Sequence, residues 1–250
     1  MKSNFKFLYP FLAVAGFAWV GCQSKTVPVG AYPAPNTFSD PSVVINFNSG
    51  ATTTNPALFE IGAPGNTIVT SGAWSQSNNG VLVPLTIAGP GANGTAMASH
   101  VTTTVTDLGN GAYPSIQLQG ILDGNSKTYN ASFFTGIQFY ANITSSDTTT
   151  ARQFYIPTSN TMPAASGGTC VSGCYDNFGY TFTSSTNGWK LFKLDFASLT
   201  RGGYGSAITP ASFTGANLAR VLSLTWQEGR NNVPGTSTVD FWVDEVQFYQ

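Results

Sequence analysis

The stretch that most constrains this chain is Ser237-Thr238-Val239-Asp240-Phe241-Trp242-Val243-Asp244-Glu245-Val246-Gln247-Phe248-Tyr249. Side chains alternate between the two faces of a strand, so Val239, Phe241 and Val243 share one face and Asp240, Trp242 and Asp244 the other. Val246 and Phe248 resume the apolar face after a one-residue slip at Asp244-Glu245, which predicts a long strand with a bulge. A strand this apolar needs a partner, and Val43-Val44-Ile45-Asn46-Phe47, far earlier in the chain, is the natural one. Their pairing would put the first and last strands in one sheet and demands an all-β architecture.

The rest of the chain agrees. Short apolar or alternating runs at 43–47, 81–87, 96–105, 115–122, 135–143, 151–156, 175–182, 189–196, 221–227 and 238–248 read as strands. Turn clusters separate them, among them Gly89-Pro90-Gly91, Gly109-Asn110-Gly111 and Asp123-Gly124-Asn125. Weak helical signals are confined to 56–60, 196–200 and 212–219. The expected fold is an antiparallel β-sandwich, a jelly roll, spanning residues 42–250. Only 8% of residues are charged, yet 42% are apolar and 13% aromatic, enough to build a core rather than a disordered chain. A net charge of −1 supplies no basic field for nucleic acid.

The N-terminal segment reads as an export leader. Lys2 and Lys6 precede the apolar run 7–20, which is short for a membrane span and fits a signal peptide over residues 1–21. The run ends at Trp19-Val20-Gly21-Cys22, which resembles a bacterial lipobox, with Trp19 where that motif usually has Leu. The resemblance implies lipidation of Cys22, a membrane anchor at the N-terminus and, with Gln23 following, an outer-membrane or cell-surface location. Residues 22–41, with Pro28, Pro33, Pro35 and Pro41, read as a tether. The remaining cysteines, Cys170 and Cys174, are expected to form a disulfide in the oxidising compartment that export implies. A metal site there lacks ligands, since His100 is the sole histidine.

Several motifs fall in a familiar order. Gly136-Ile137-Gln138-Phe139-Tyr140-Ala141, Gly188-Trp189-Lys190-Leu191-Phe192-Lys193-Leu194-Asp195-Phe196 and the closing strand resemble the strands of jelly-roll carbohydrate-binding modules of the galactose-binding-like type, similar to families 11 and 30. The resemblance implies two antiparallel sheets, a glycan-binding face and a structural Ca²⁺ near the pairing of first and last strands. Asp244 matches a typical calcium-ligand position and Asn46 a second, although Asn46, Asn48 and Ser49 stand where the family has acidic residues.

Alternation supplies candidate binding residues. Gln117, Gln138, Tyr140, Gln153, Tyr155 and Gln227 all fall opposite the apolar face of their strands, and uncharged amides and phenols suit the hydroxyls and C–H faces of a neutral oligo- or polysaccharide. The same pattern also arises on any half-exposed sheet in a charge-poor chain. Trp74, Tyr175 and Tyr180 are read as loop or edge platforms, Trp189 and Trp226 as core, and Trp242 as surface cover or a second platform. Catalysis has weaker support. Glu60, Glu228 and Glu245 are the only glutamates, and a glycosidase needs two carboxylates flanking the scissile bond, for which Glu228 would have to pair with Glu60 or Asp176. The expected function is non-catalytic glycan binding by a tethered lipoprotein. A structural or adhesion lipoprotein and a carbohydrate-active hydrolase or lyase are the alternatives.

Overall fold

The computed structural model describes residues 43–45, 58–61, 69–79, 81–83, 85–109, 115–122, 128–144, 150–183, 185–208, 210–230 and 234–250. The strands run in the order β1 (Val43–Ile45), β2 (Leu58–Ile61), β3 (Val69–Asn78), β4 (Val81–Val83), β5 (Ile87–Ala88), β6 (Ala98–Asp107) and β7 (Ser115–Ile121). They continue with β8 (Gly136–Ile143), β9 (Thr150–Ile156), β10 (Phe178–Thr181), β11 (Lys190–Asp195), β12 (Ser223–Arg230) and β13 (Gly235–Tyr249). The first sheet has the order β11, β8, β13, β6, β5, with β1 also on β13; the second has the order β10, β9, β12, β7, β3, β2, with β4 also on β3. All pairings between these strands are antiparallel. The fold is an antiparallel β-sandwich.

The closing strand is the centre of the first sheet. β13 pairs with β8 on one side and with β6 on the other, and β1 joins it at Val43 opposite Gln247. Its register against β8 shifts between Asp244 and Gln247, and Glu245 adopts a positive φ of 48°. The bulge expected at Asp244-Glu245 is therefore present, and it restores Val246 and Phe248, both fully buried, to the inner face.

The core lies between the sheets. Phe139 on the first sheet meets Trp226 and Phe154 on the second at ring-centroid distances of 5.1 Å each. Each such aromatic contributes about 2–3 kcal/mol by burial alone. One charged pair is enclosed with them: Arg152 Nε donates to Glu228 Oε1 at 3.1 Å, with both side chains buried. The pair occupies adjacent inward positions of β9 and β12, whose register sets Glu228 opposite Arg152.

Three local expectations are corrected. Residues 56–60, read as weakly helical, overlap the strand Leu58–Ile61. Residues 81–87, read as one strand, hold parts of two: Val81–Val83 pairs in the second sheet and Ile87–Ala88 in the first. The long strand Val69–Asn78 escaped detection because its Ser, Thr and Gly residues show no apolar alternation. The other two helical signals mature into short 3₁₀ turns, Phe196–Ser198 and Gly215–Arg220.

Candidate functional site

The candidate residues divide between the two outer faces of the sandwich. Gln138 and Tyr140 lie on β8 of the first sheet, whereas Gln117, Gln153, Tyr155 and Gln227 lie on β7, β9 and β12 of the second. A single six-residue site is therefore excluded. Alternation reports which side of a strand faces the core, but not which sheet the strand joins.

On the second sheet the four residues do converge. Across β3, β7, β12, β9 and β10, one row runs Ser77, Gln117, Gln227, Gln153, Thr181 and the next Ser75, Gln119, Thr225, Tyr155, Gly179. No carboxylate, ammonium or guanidinium belongs to either row. Gln227 Oε1 accepts from Gln117 Nε2 at 2.7 Å and from the Tyr155 hydroxyl at 2.8 Å. Both lone pairs of that oxygen are engaged, which fixes the amide so that its two N–H donors point away from the pair. Gln119 Nε2 donates to Ser223 Oγ at 2.9 Å, which likewise leaves its carbonyl oxygen facing outward. Long side chains close over Thr225, which is fully buried on this face. The result is a paved, uncharged surface with oriented amide donors and acceptors. Burial, and secondarily the Tyr204 phenol, pushes the Tyr155 phenol up, so it stays neutral and keeps its hydrogen on Gln227 Oε1.

Beyond β10 the surface is bounded by a braced pair of loops. Thr200 pairs with Gly179 through reciprocal backbone hydrogen bonds of 2.8 and 3.1 Å, which extends the Tyr155 row by one segment. The following turn, Arg201-Gly202-Gly203-Tyr204-Gly205-Ser206, is held by Asp176. Its Oδ1 accepts from Gly202 N at 2.7 Å, and its Oδ2 from Gly203 N at 3.0 Å and Gly205 N at 2.9 Å. Arg201 approaches the same carboxylate at 3.2 Å. Glycine is required at 205, where a Cβ would sit 2.4 Å from Asp176 Cβ. The expected disulfide joins Cys170 and Cys174, and this loop meets the turn through Ser206 N donating to Gly173 O at 3.2 Å. Tyr204 donates to Tyr175 O at 2.8 Å while its side chain remains 71% exposed. Tyr204 was not singled out in the sequence, although the glycines around it mark a turn.

Several aromatic assignments change. Trp74 is not a loop platform: it lies in β3, is 1% exposed, and packs against Trp226 at 5.6 Å. Trp189, expected in the core, stands half-buried and edge-on to Trp242 at 6.4 Å on the outer face of the first sheet. Trp226 is core, as expected. Trp242 stacks on His100 at 3.7 Å, and His100 Nε2 bonds Asp240 Oδ1 at 2.8 Å. Tyr175 and Tyr180 are exposed, the latter at the β10 edge against Phe182.

Asp244 does not fit the role of a cation ligand. Its Oδ2 accepts from Ala92 N at 3.0 Å and Thr95 Oγ1 at 2.6 Å, and its Oδ1 from Glu245 N at 2.8 Å. These are hydrogen donors, the reverse of the oxygen lone pairs a hard cation requires. The side chain is fully buried and fastens the turn at 91–95 to the bulge, and desolvation raises its carboxyl to about 6. Asn46, the second calcium candidate, lies outside the described residues, as does Cys22. The candidate catalytic carboxylates are committed elsewhere: Glu228 is 1% exposed in its pair with Arg152, and Asp176 is 1% exposed under its loop. The Glu60 side chain lies outside the described residues.

The chain thus belongs, by fold, to the two-sheet antiparallel β-sandwiches. No family model and no curated protein matches its sequence. Among solved structures it is similar to the family 11 carbohydrate-binding module from Clostridium thermocellum in complex with a β-1,3-1,4-mixed-linked tetrasaccharide. The TM-score is 0.45 at 14% identity, over 83% of this chain and 94% of that one. It is also similar to SGBP-B from a complex xyloglucan utilization locus in Bacteroides uniformis, with a TM-score of 0.42 and 12% identity over 84% of this chain and 50% of that one. A family 30 carbohydrate-binding module gives 0.41 and 10%, over 67% of this chain and 83% of that one.

Proposed function

We propose that this chain is a non-catalytic binder of a neutral glycan, which it holds on the outer face of the second sheet. The observation that carries this reading is the uncharged, pre-oriented amide surface. Gln227 offers N–H donors, while Gln117 and Gln119 offer carbonyl oxygens, because their other atoms are already engaged. Sugar hydroxyls both donate and accept, so a neutral saccharide can answer every group on this surface, whereas a charged ligand would meet no counter-charge. Pre-organisation lowers the ordering cost of binding. The engagement of Glu228 and Asp176 in structural contacts favours binding over hydrolysis.

Export and lipid attachment at Cys22 belong to the same reading, with a cell-envelope location. The Cys170–Cys174 disulfide supports an oxidising compartment. The test is affinity electrophoresis of the full chain through gels containing neutral polysaccharides, mixed-linkage β-glucan and xyloglucan among them. Retardation that is lost in Gln227→Ala and kept in Tyr140→Ala, on the opposite sheet, is the expected result. Retardation lost only in Tyr140→Ala would move the site to the first sheet. Failure to retard on any polysaccharide would overturn the reading in favour of an adhesion role.

A further inference from the structure

We infer that the Tyr204 ring, carried on the loop braced by Asp176 and the disulfide, is the terminal sugar platform of this surface, so that a glycan lies across the strands, passes over Gly179 and ends on that ring. The inference rests on the glycan reading above and adds the ligand's direction and its end point.

Three observations carry it. Gly179 stands between Tyr155 and Thr200 in one hydrogen-bonded row, so bare backbone separates the amide surface from the loop. A side chain could not be added there without meeting Phe154 O at 2.7 Å and Tyr155 Cβ at 2.9 Å. Next, the loop beyond Thr200 presents Tyr204 at 71% exposure on an unusually secured base. A buried carboxylate accepts three of the loop's N–H groups, and the disulfide loop buttresses it. Holding an exposed ring this firmly removes the ordering cost of stacking on it. Finally, Tyr204 follows Thr200, the end of the Tyr155 row, by four residues in the turn that Asp176 pins, and its phenol is the second of the causes that raise the Tyr155 phenol.

The span sets the ligand's size. From β7 through β12, β9 and β10 to Thr200 are four strand spacings, about 19 Å. One sugar ring cannot bridge this distance, but an oligosaccharide can. Tyr204 therefore adds affinity for a long ligand and little for a short one. A residue that merely supported the fold would weaken both equally.

The test is calorimetric titration of the full chain with the mixed-linkage β-1,3-1,4-glucan tetrasaccharide and with cellobiose, for the wild type, Tyr204→Ala, Tyr204→Phe and Gln227→Ala. Tyr204→Ala is expected to weaken the tetrasaccharide about tenfold, the value of one stacked ring, and cellobiose less than about twofold. Tyr204→Phe, which loses only the hydroxyl bond to Tyr175 O, stays within about twofold of wild type for both. Wild-type affinity for the tetrasaccharide in Tyr204→Ala, with loss in Gln227→Ala, would overturn the platform and leave the glycan reading intact. An equal loss for both ligands in Tyr204→Ala would also overturn it. Binding unaffected by either substitution, or no binding at all, would overturn both readings.

Discussion

Asp244 gives the fold a pH dependence of unusual sign. Its carboxyl is buried with no counter-ion among the described residues, and the donors from Thr95, Glu245 and Ala92 only partly offset desolvation, so its value rises from 3.8 to about 6. A carboxyl raised on folding binds its proton more tightly in the native state. Its contribution is therefore fully present below pH 3.8 and is lost as pH rises through 6. The difference between those two values, at 1.36 kcal/mol per unit, corresponds to about 3 kcal/mol. The perturbation is Asp244→Asn, which keeps the shape and removes the titration. Urea unfolding of both proteins at pH 4 and pH 7 isolates this group, because any constant cost of the amide cancels. The stability of Asp244→Asn relative to wild type should rise by about 2–2.5 kcal/mol between the two pH values, most of the full difference because pH 4 lies just above 3.8, a relative midpoint shift on the order of 1 M urea. A difference that is the same at both pH values would refute the raised carboxyl. A wild type that instead gains stability from pH 4 to 7, and gains more on addition of calcium, would show a cation holding the carboxylate charged, against the hydrogen-bond argument.

Two other substitutions probe the core. Arg152→Ala removes the cationic partner of the buried Glu228 carboxylate and should cost about 3–5 kcal/mol in urea unfolding, with glycan retardation of the folded protein unchanged. Trp74→Ala should cost about 3–5 kcal/mol by opening a cavity beside Trp226, again without changing retardation, because the ring does not reach the outer surface.

The framework was legible wherever burial wrote itself into alternation. Val239, Phe241 and Val243, and the slip to Val246, revealed both the strand and its bulge before any contact was known. Ile137 and Phe139 similarly identified the inner face of β8. Legibility failed where the physics is not periodic. β3 reads Val-Thr-Ser-Gly-Ala-Trp-Ser-Gln-Ser-Asn, with no run of apolar residues at every second position, so Trp74 looked like an isolated loop aromatic. The outward glutamines were recognised individually, but Gln138 and Gln227 occupy opposite faces of the molecule, and only strand order could separate them. Asp244 was singled out for its position, and its role depended on three donors more than a hundred residues away or next door, which no local pattern encodes. Tyr204 gains its place from Asp176, a tertiary contact equally invisible to spacing.

The position of β13 also governs how the molecule can be made. It is the central strand of the first sheet, yet it follows every other described strand in the chain, and its partner β1 precedes them all. Until β13 arrives, β8 and β6 have no common neighbour, so the first sheet cannot close into one layer over the second. Folding therefore cannot proceed strand by strand during synthesis. It waits for a closure between residues nearly the length of the chain apart, a topology that folds slowly and exposes apolar strand edges in the interval.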